Sequence, residues 1–324
     1  MRIIRYHSTV PAEARGAAVA VGNFDGIHRG HQAVFDVARR IAREQSVPFA
    51  IFTFEPHPRS VIQPDVAPFR LTPLRIKVRV LDSLDVDIIY LARFDWTMAG
   101  KLWSDFVGEI LVESLGVRHV VVGYDFRFGK GRAGTPEQLG RMAKEKGFEF
   151  TCVGAVGDGV EFSSTRIRDA LRAGDVREAA HVLGRWWEVE DRVARGAARG
   201  RELGYRTANL DLGPVLVPAR GIYAVWAGLA GPSGIVWRAS AASFGNRPTF
   251  DGTRDLLEVH IFDFDEDLYG RRLCVRFVEY LRPELRFDEV ASLEAQIAED
   301  CARAREVLGR MHPEGPDALE SVTE

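Results

Sequence analysis

Five short apolar runs in the first half of the chain alternate with segments whose apolar residues recur at helical spacing, and few folds accept that alternation. The runs are Ala17 to Val21, Phe49 to Phe54, Val86 to Leu91, Val117 to Gly123 and Phe148 to Val153. Between them, His28 to Gln45 places Val34, Val37, Ala38 and Ile41 on one helical face, and Thr72 to Leu84, Leu102 to Leu115 and Pro136 to Lys146 also read as helices. The runs lack polar alternation, so both faces of each strand are buried. That combination predicts a doubly wound α/β domain on a parallel sheet.

After about residue 184 the pattern changes. Trp187 to Val193, Ile222 to Leu229, Ile235 to Phe244, Leu257 to Asp263 and Arg272 to Tyr280 are strand-like and punctuated by Gly and Pro, without long helices between them. They predict a small antiparallel β-barrel or sandwich. One helix follows, with Val290, Leu293, Ile297, Cys301, Ala304 and Leu308 forming a stripe to cover it. With 324 residues, two domains are expected, 1–184 and 185–324, with a mobile acidic tail from about 313.

The formal charge of −3 lacks the basic excess of a general nucleic-acid binder. Cys152, Cys274 and Cys301 are far apart and form no C-x-x-C pair, which argues against a disulfide framework or a cysteine-based zinc site. The N-terminus has no apolar signal core, and no apolar stretch approaches a membrane span of ~20 residues. The expectation is a soluble cytoplasmic protein with neither membrane nor nucleic-acid partner.

In an open parallel sheet, ligands lie beyond the carboxyl ends of the strands. Gly22-Asn23-Phe24-Asp25-Gly26-Ile27-His28-Arg29-Gly30-His31 follows the first predicted strand, and Glu55-Pro56-His57-Pro58 follows the second. Gly123 to Gly129 (GYDFRFG) follows the fourth, and Ser163 to Arg168 (SSTRIR) closes the domain. His28 and His31, three apart at a helix start, share a face where N–H groups and the helix dipole favour an anion. Two imidazoles there suit a triphosphate, with Gly30 admitting a phosphate to the backbone. A pair of helix caps and a zinc pair are the rival readings. Ser164, Thr165, Arg166 and Arg168 read as a capped helix start that clamps phosphate, or as a plain cap with surface arginines. Phe54, Phe126 and Phe128 offer aromatic faces for a ring system, although Phe54 reads equally well as core.

In the second half, Gly196, Gly200 and Gly204 could fold N–H groups into an anion nest. Thr207 and Asn209, two apart, would face one side and suit Mg²⁺ beside phosphates. A flexible basic loop is the rival reading. In Leu257 to Ile261, alternation turns Glu258 and His260 away from Leu257, Val259 and Ile261.

The motifs G-N-F-D-G-I-H-R-G-H, F-E-P-H-P, G-Y-D-F-R-F-G and S-S-T-R-I-R, in that order, resemble the nucleotidyltransferase module of the prokaryotic bifunctional riboflavin kinase/FMN adenylyltransferase (FAD synthetase) family. G-R-E-L-G-Y-R-T-A-N-L, S-F-G-N-R-P-T-F, L-E-V-H-I-F-D-F and D-L-Y-G resemble its riboflavin kinase module, a six-stranded barrel plus a helix. The resemblance runs from about residue 15 to 310. It implies that riboflavin is phosphorylated by Mg-ATP to FMN, and that FMN is adenylylated by ATP to FAD and pyrophosphate. It assigns His28 and His31 to catalysis on the ATP phosphates, Gly22, Asn23, Phe24 and Gly30 to the nucleotide, and Ser164, Thr165 and Arg168 to the triphosphate. Pro56, His57, Asp125, Phe126 and Phe128 would line the flavin pocket. Gly200 and Gly204 would bind phosphate, Thr207 and Asn209 would ligate Mg-ATP, and Glu258 would be the base on the ribityl hydroxyl. One departure concerns the kinase loop, where Arg206 stands in the place of the family's usual proline before Thr-Ala-Asn; the loop loses a stiffening ring, or gains a cation for phosphate. A hydrolase using a metal on His28, His31, His57 and Asp25 is a second function, and a non-catalytic flavin- or RNA-binding regulator a third.

Overall fold

A computed structural model describes residues 1–5, 10–194, 205–231, 234–249 and 252–316. The chain divides into two compact units, Met1–Ala67 with Lys77–Phe162, and Pro68–Ile76 with Ser163–Glu324.

The first unit is built on β1 (Arg2–Ile4), β2 (Ala18–Val21), β3 (Phe49–Glu55), β4 (Ile88–Arg93), β5 (His119–Gly123) and β6 (Glu149–Val153). They form one sheet in the order β1-β4-β3-β2-β5-β6, parallel throughout. The chain steps from β2 out to β3 and β4, then returns to the other side of β2 for β5. The order therefore reverses between β2 and β5, which is where such sheets open a ligand crevice. All four residues of β2 are buried, and its continuous apolar run follows from being covered on both faces.

Helix α1 (Arg29–Gln45) buries Val34, Phe35, Ala38, Ile41 and Ala42, so Phe35 takes the place expected for Val37. The short α2 (Pro58–Ile62) is followed by α3 (Leu74–Ser83) and α4 (Trp96–Gly100). The predicted regular helix over Leu102 to Leu115 is instead a turn, α5 (Trp103–Asp105), that runs into a π-helix over Phe106–Ser114. The Leu115 N–H reaches back five residues to the Ile110 carbonyl, at 2.9 Å. Helix α6 (Pro136–Lys146) starts with a reciprocal cap between Thr135 and Gln138.

The second unit adds α7 (Ser164–Ala173) and α8 (Val176–Leu183), then six strands. These are β7 (Trp187–Arg192), β8 (Ala208–Leu210), β9 (Gly221–Gly231), β10 (Gly234–Thr249), β11 (Gly252–Ile261) and β12 (Arg272–Arg282). Their antiparallel order is β7-β12-β9-β10-β11-β8. The sheet curls until its ends meet, with the Ala194 N–H beyond β7 bonding the Asn209 carbonyl of β8 at 2.9 Å. Helix α9 (Val290–Leu308) packs Ala304 and Leu308 with Trp186, Phe262, Val278 and Leu281. The apolar stripe predicted for α9 is buried only in its second half, because Val290 is 62% exposed. Asp300 is also buried there, and Arg282 donates to its two oxygens at 2.8 and 2.6 Å. A buried carboxylate needs that pairing.

The tail expected to be mobile begins with residues that are held. The Trp186 indole N–H donates to the His312 carbonyl at 2.8 Å, and Arg276 donates to the Pro313 carbonyl at 2.7 Å. Residues 317–324 lie outside the described residues. No helix among the described residues is long and apolar enough to cross a membrane.

Candidate active sites

Strands β3, β2 and β5 are neighbours, so the three stretches that follow them leave the sheet at one edge. The first is a tight turn: Phe24, Gly26 and Ile27 take φ of 48°, 94° and 49°. Left-handed backbone is uncommon outside glycine, and for a β-branched residue it is an outlier. Two side chains grip the start of the turn, Lys77 Nζ and Thr53 Oγ1, donating to the Asn23 carbonyl at 2.7 and 3.1 Å. Gln32 Nε2 donates to the Ile27 carbonyl at its end, at 2.9 Å. Gly22 has to be small for its own loop, since a Cβ there would stand 2.8 Å from the Phe24 ring.

His28 is the N-cap of α1, and its Nδ1 accepts the His31 backbone N–H at 3.4 Å. The capping reading is therefore true of one nitrogen, and the neutral ring carries its proton on the other, Nε2. The His28 and His31 rings stack with centroids 3.6 Å apart and an interplanar angle of 25°. Phe24 meets His31 edge-on at 5.2 Å. The structure also gives Gly30 a different reason from the expected one. A Cβ there would lie 2.9 Å from the Phe162 carbonyl oxygen and 3.0 Å from His28 Nδ1, so glycine makes room for the protein itself. His28, His31, His57 and Asp25 do not gather into a group with metal-ligand spacing among the described residues.

After β3, Pro56 is exposed and His57 caps α2, its Nδ1 accepting the Arg59 N–H at 3.1 Å. After β5, Asp125 is exposed, while Phe126 and Phe128 stack at 5.2 Å. Phe128 is buried against Phe106 at 5.6 Å, which makes it a wall of the core, and Phe126 is the half-buried outer ring. Phe54 is half-buried, edge-on to Phe94 at 5.5 Å. On the neighbouring Tyr124, the Glu161 carboxylate pushes the phenol up to about 12.

In the second unit, the hydroxyl that caps α7 belongs to Ser163, which accepts the Arg166 N–H at 3.2 Å. Ser164 and Thr165 are the first two residues of the helix, where N–H groups lack intrahelical acceptors. Arg168 Nε donates to the Phe69 carbonyl at 3.0 Å and its guanidinium lies over the Phe69 ring, at 5.7 Å. Arg166 pairs with Glu178 instead of extending the cluster.

At the barrel, Glu258 of β11 is in register with Asn209 of β8 on one side and Ser243 of β10 on the other. Residues directly opposed in an antiparallel pair share a face. Leu257, Val259 and Ile261 are buried while Glu258 and His260 are partly exposed, as the alternation predicts. Asn209 is buried, and Thr207 lies two residues before it. Arg206, just before Thr207, is tied down at both ends. Its guanidinium donates to the Asp265 carbonyl at 3.0 Å, and its own carbonyl lies 2.9 Å from His260 Nδ1, which must be the donor. Gly196, Gly200 and Gly204 lie outside the described residues.

Sequence reasoning missed Thr53 and Lys77, because each acts on a backbone carbonyl far along the chain. It also missed a group with metal-ligand spacing, Glu188, Glu190 and Cys274. Arg276 bonds Glu188 at 3.0 Å, and Arg75 and Arg272 reach Glu190 at 3.3 and 3.4 Å, so arginines already balance the two carboxylates.

Comparison with known proteins gives two family matches, FAD synthetase over residues 10–166 and riboflavin kinase over residues 183–308. The chain is 38% identical over 315 residues to the bifunctional riboflavin kinase/FMN adenylyltransferase of Escherichia coli K12, covering 97% of this chain and 100% of that one. It is 39% identical to the protein of the same description from Pseudomonas fluorescens, covering 94% and 97% of the two chains. A crystal structure described as a macrolide-efflux protein from Streptococcus pneumoniae superposes with a TM-score of 0.82 at 32% identity, covering 94% of this chain and 98% of that one.

Proposed function

The chain belongs to the bifunctional riboflavin kinase/FMN adenylyltransferase family, making FMN from riboflavin and ATP and FAD from FMN and ATP, and we propose how its residues divide this work. We put the division between the two activities near residue 184; that the FAD synthetase match ends at residue 166 and the riboflavin kinase match begins at residue 183 supports a boundary in this region.

In adenylyl transfer, FMN phosphate attacks the α-phosphorus of ATP and pyrophosphate leaves. His28 and His31 stabilise the charge that grows on the phosphates. The observation that carries this is the place of the pair: the two rings stack 3.6 Å apart at the positive end of a 17-residue helix, beside the point where the strand order reverses. Asn23 and the turn around Gly22, Phe24 and Gly30 receive the nucleotide. The family resemblance assigns Ser164, Thr165 and Arg168, near the start of α7, to the triphosphate. Pro56, His57, Asp125 and Phe126 contact the flavin, with Phe128 supporting Phe126 from the core.

In the kinase reaction, Glu258 takes the proton from the ribityl hydroxyl as that oxygen attacks the γ-phosphorus of ATP and ADP leaves. Thr207 and Asn209 would hold Mg²⁺. Their neutral oxygens beside an in-register carboxylate suit a hard cation that arrives with ATP and keeps waters. Bound there, Mg²⁺ supplies charge neutralisation on the transferring phosphate.

The test is incubation with riboflavin and Mg-ATP, with FMN and FAD separated by chromatography. His31→Ala should lower FAD formation by ~10²–10³-fold and let FMN accumulate. Equal loss of both products in the folded variant would refute the division.

A further inference from the structure

Lys77 is 2% exposed, on the inner side of α3. An apolar side chain would fill that volume without the cost of burying an ammonium. What Lys77 does there is specific: Nζ donates to the Asn23 carbonyl at 2.7 Å. The same oxygen accepts Thr53 Oγ1 at 3.1 Å. From this carbonyl the chain enters the turn whose residues Phe24, Gly26 and Ile27 all have positive φ. Conformations this unfavourable persist only where the surroundings over-determine them, and they cluster at functional sites. The turn is held at both ends, by Lys77 and Thr53 at Asn23 and by Gln32 at Ile27. The residue immediately after it is His28. A relaxed turn would therefore move the His28 ring and, through the 3.6 Å stack, His31.

We propose that Lys77 is a positioning residue for adenylyl transfer. Its ammonium clamps the Asn23 carbonyl, keeps the 23–27 turn in its left-handed form and so fixes the His28–His31 pair. The proposal rests on the assignment of that pair to adenylyl transfer. Thr53 is the second, weaker clamp on the same oxygen.

Lys77→Met keeps the length of the side chain and removes the donor, and Thr53→Val does the same for the hydroxyl. Steady-state FAD formation from supplied FMN and ATP is measured at a temperature where circular dichroism shows each variant folded. Lys77→Met should lower kcat about tenfold and Thr53→Val about threefold, with KM for FMN held within about twofold, because the catalytic groups shift and the flavin contacts stay. The double variant should lose less than the product of the two, since both donors serve one carbonyl. FMN formation from riboflavin should be unchanged in the same preparations. A role confined to stability would lower the melting temperature and leave kcat of the folded enzyme untouched, and that result overturns the proposal. Should Lys77→Met fail to fold, Thr53→Val decides, and wild-type kcat in that variant overturns it. His31→Ala in the same assay separates the two failures. If His31→Ala keeps making FAD, the assignment of the histidine pair is wrong. If it stops while the clamp variants do not, only the role of Lys77 is wrong.

Discussion

Gly30→Ala sets two physical effects against each other. Gly30 is the second residue of α1, and helix propensity alone favours alanine by about 1 kcal/mol. The added Cβ, however, would stand 2.9 Å from the Phe162 carbonyl oxygen and 3.0 and 3.1 Å from Nδ1 and Cε1 of His28. Carbon atoms at rest sit about 3.5–4.0 Å apart, so something must yield by about half an ångström. Forced overpacking costs about 1–3 kcal/mol, which leaves the variant between neutral and about 2 kcal/mol less stable. The two neighbours do not yield equally. The Phe162 oxygen is backbone, whereas the His28 ring can swing about its χ angles. The ring should take up the displacement, weakening its cap bond to the His31 N–H and tilting the stack. An error of 1 Å at a reacting centre is worth about 10²-fold, so half that predicts roughly a tenfold loss of FAD formation. The assay is FAD formed from supplied FMN and ATP, with thermal melting and FMN formation from riboflavin as controls. A folded Gly30→Ala enzyme with wild-type FAD formation would refute the reasoning, because the His28 ring would then not need its observed position.

Glu258→Gln preserves shape but cannot accept a proton. FMN formation should fall by ~10²-fold, the low end for a lost base because phosphoryl transfer leans on positioning and metal charge, while FAD formation from added FMN continues. Near-wild-type FMN formation would rule out the base. Burial holds the His119 imidazole below its usual 6.5, with Glu149 pulling the other way. The unfolded chain then takes up the proton first, so the stability that neutral His119 contributes is present above about 6.5 and is lost as pH falls through the folded value. The gap in melting temperature between wild type and His119→Gln should narrow as pH falls from about 7.5 to 5.5, and a gap constant with pH would refute it.

Much of both units is legible in the sequence, for physical reasons that also mark where legibility ends. Strands β2 to β5 announce themselves because burial on both faces of a parallel sheet demands apolar runs, as in the Ala-Val-Ala-Val of β2, whereas β6 at the sheet edge has no buried residue. Strand β11 is legible because one face is core, so Leu257, Val259 and Ile261 alternate with Glu258 and His260. Strand β1 is three residues long, too short for any periodicity, and exists through its parallel register with β4. The π-helix over Phe106–Ser114 buries Phe106, Val107, Ile110 and Leu111, a pattern that a regular helix would carry as well. At the sites, residue types were readable and their anchors were not. Arg206 is the case in point. In the sequence it reads as the loss of a stiffening proline, or as one more cation for phosphate. In the structure its guanidinium is spent on the Asp265 carbonyl and its own carbonyl on His260 Nδ1, so two hydrogen bonds hold the chain that leads into Thr207 and Asn209. An exposed bond of this kind contributes about 1 kcal/mol, equivalent to roughly fivefold in an equilibrium constant. Arg206→Ala should therefore raise KM for Mg-ATP in riboflavin phosphorylation by up to about fivefold, with kcat within twofold, because the loop is loosened and Glu258 stays on its strand. FAD formation from FMN should not change. A loss of kcat at constant KM would contradict this, and would place Arg206 on the transferring phosphate.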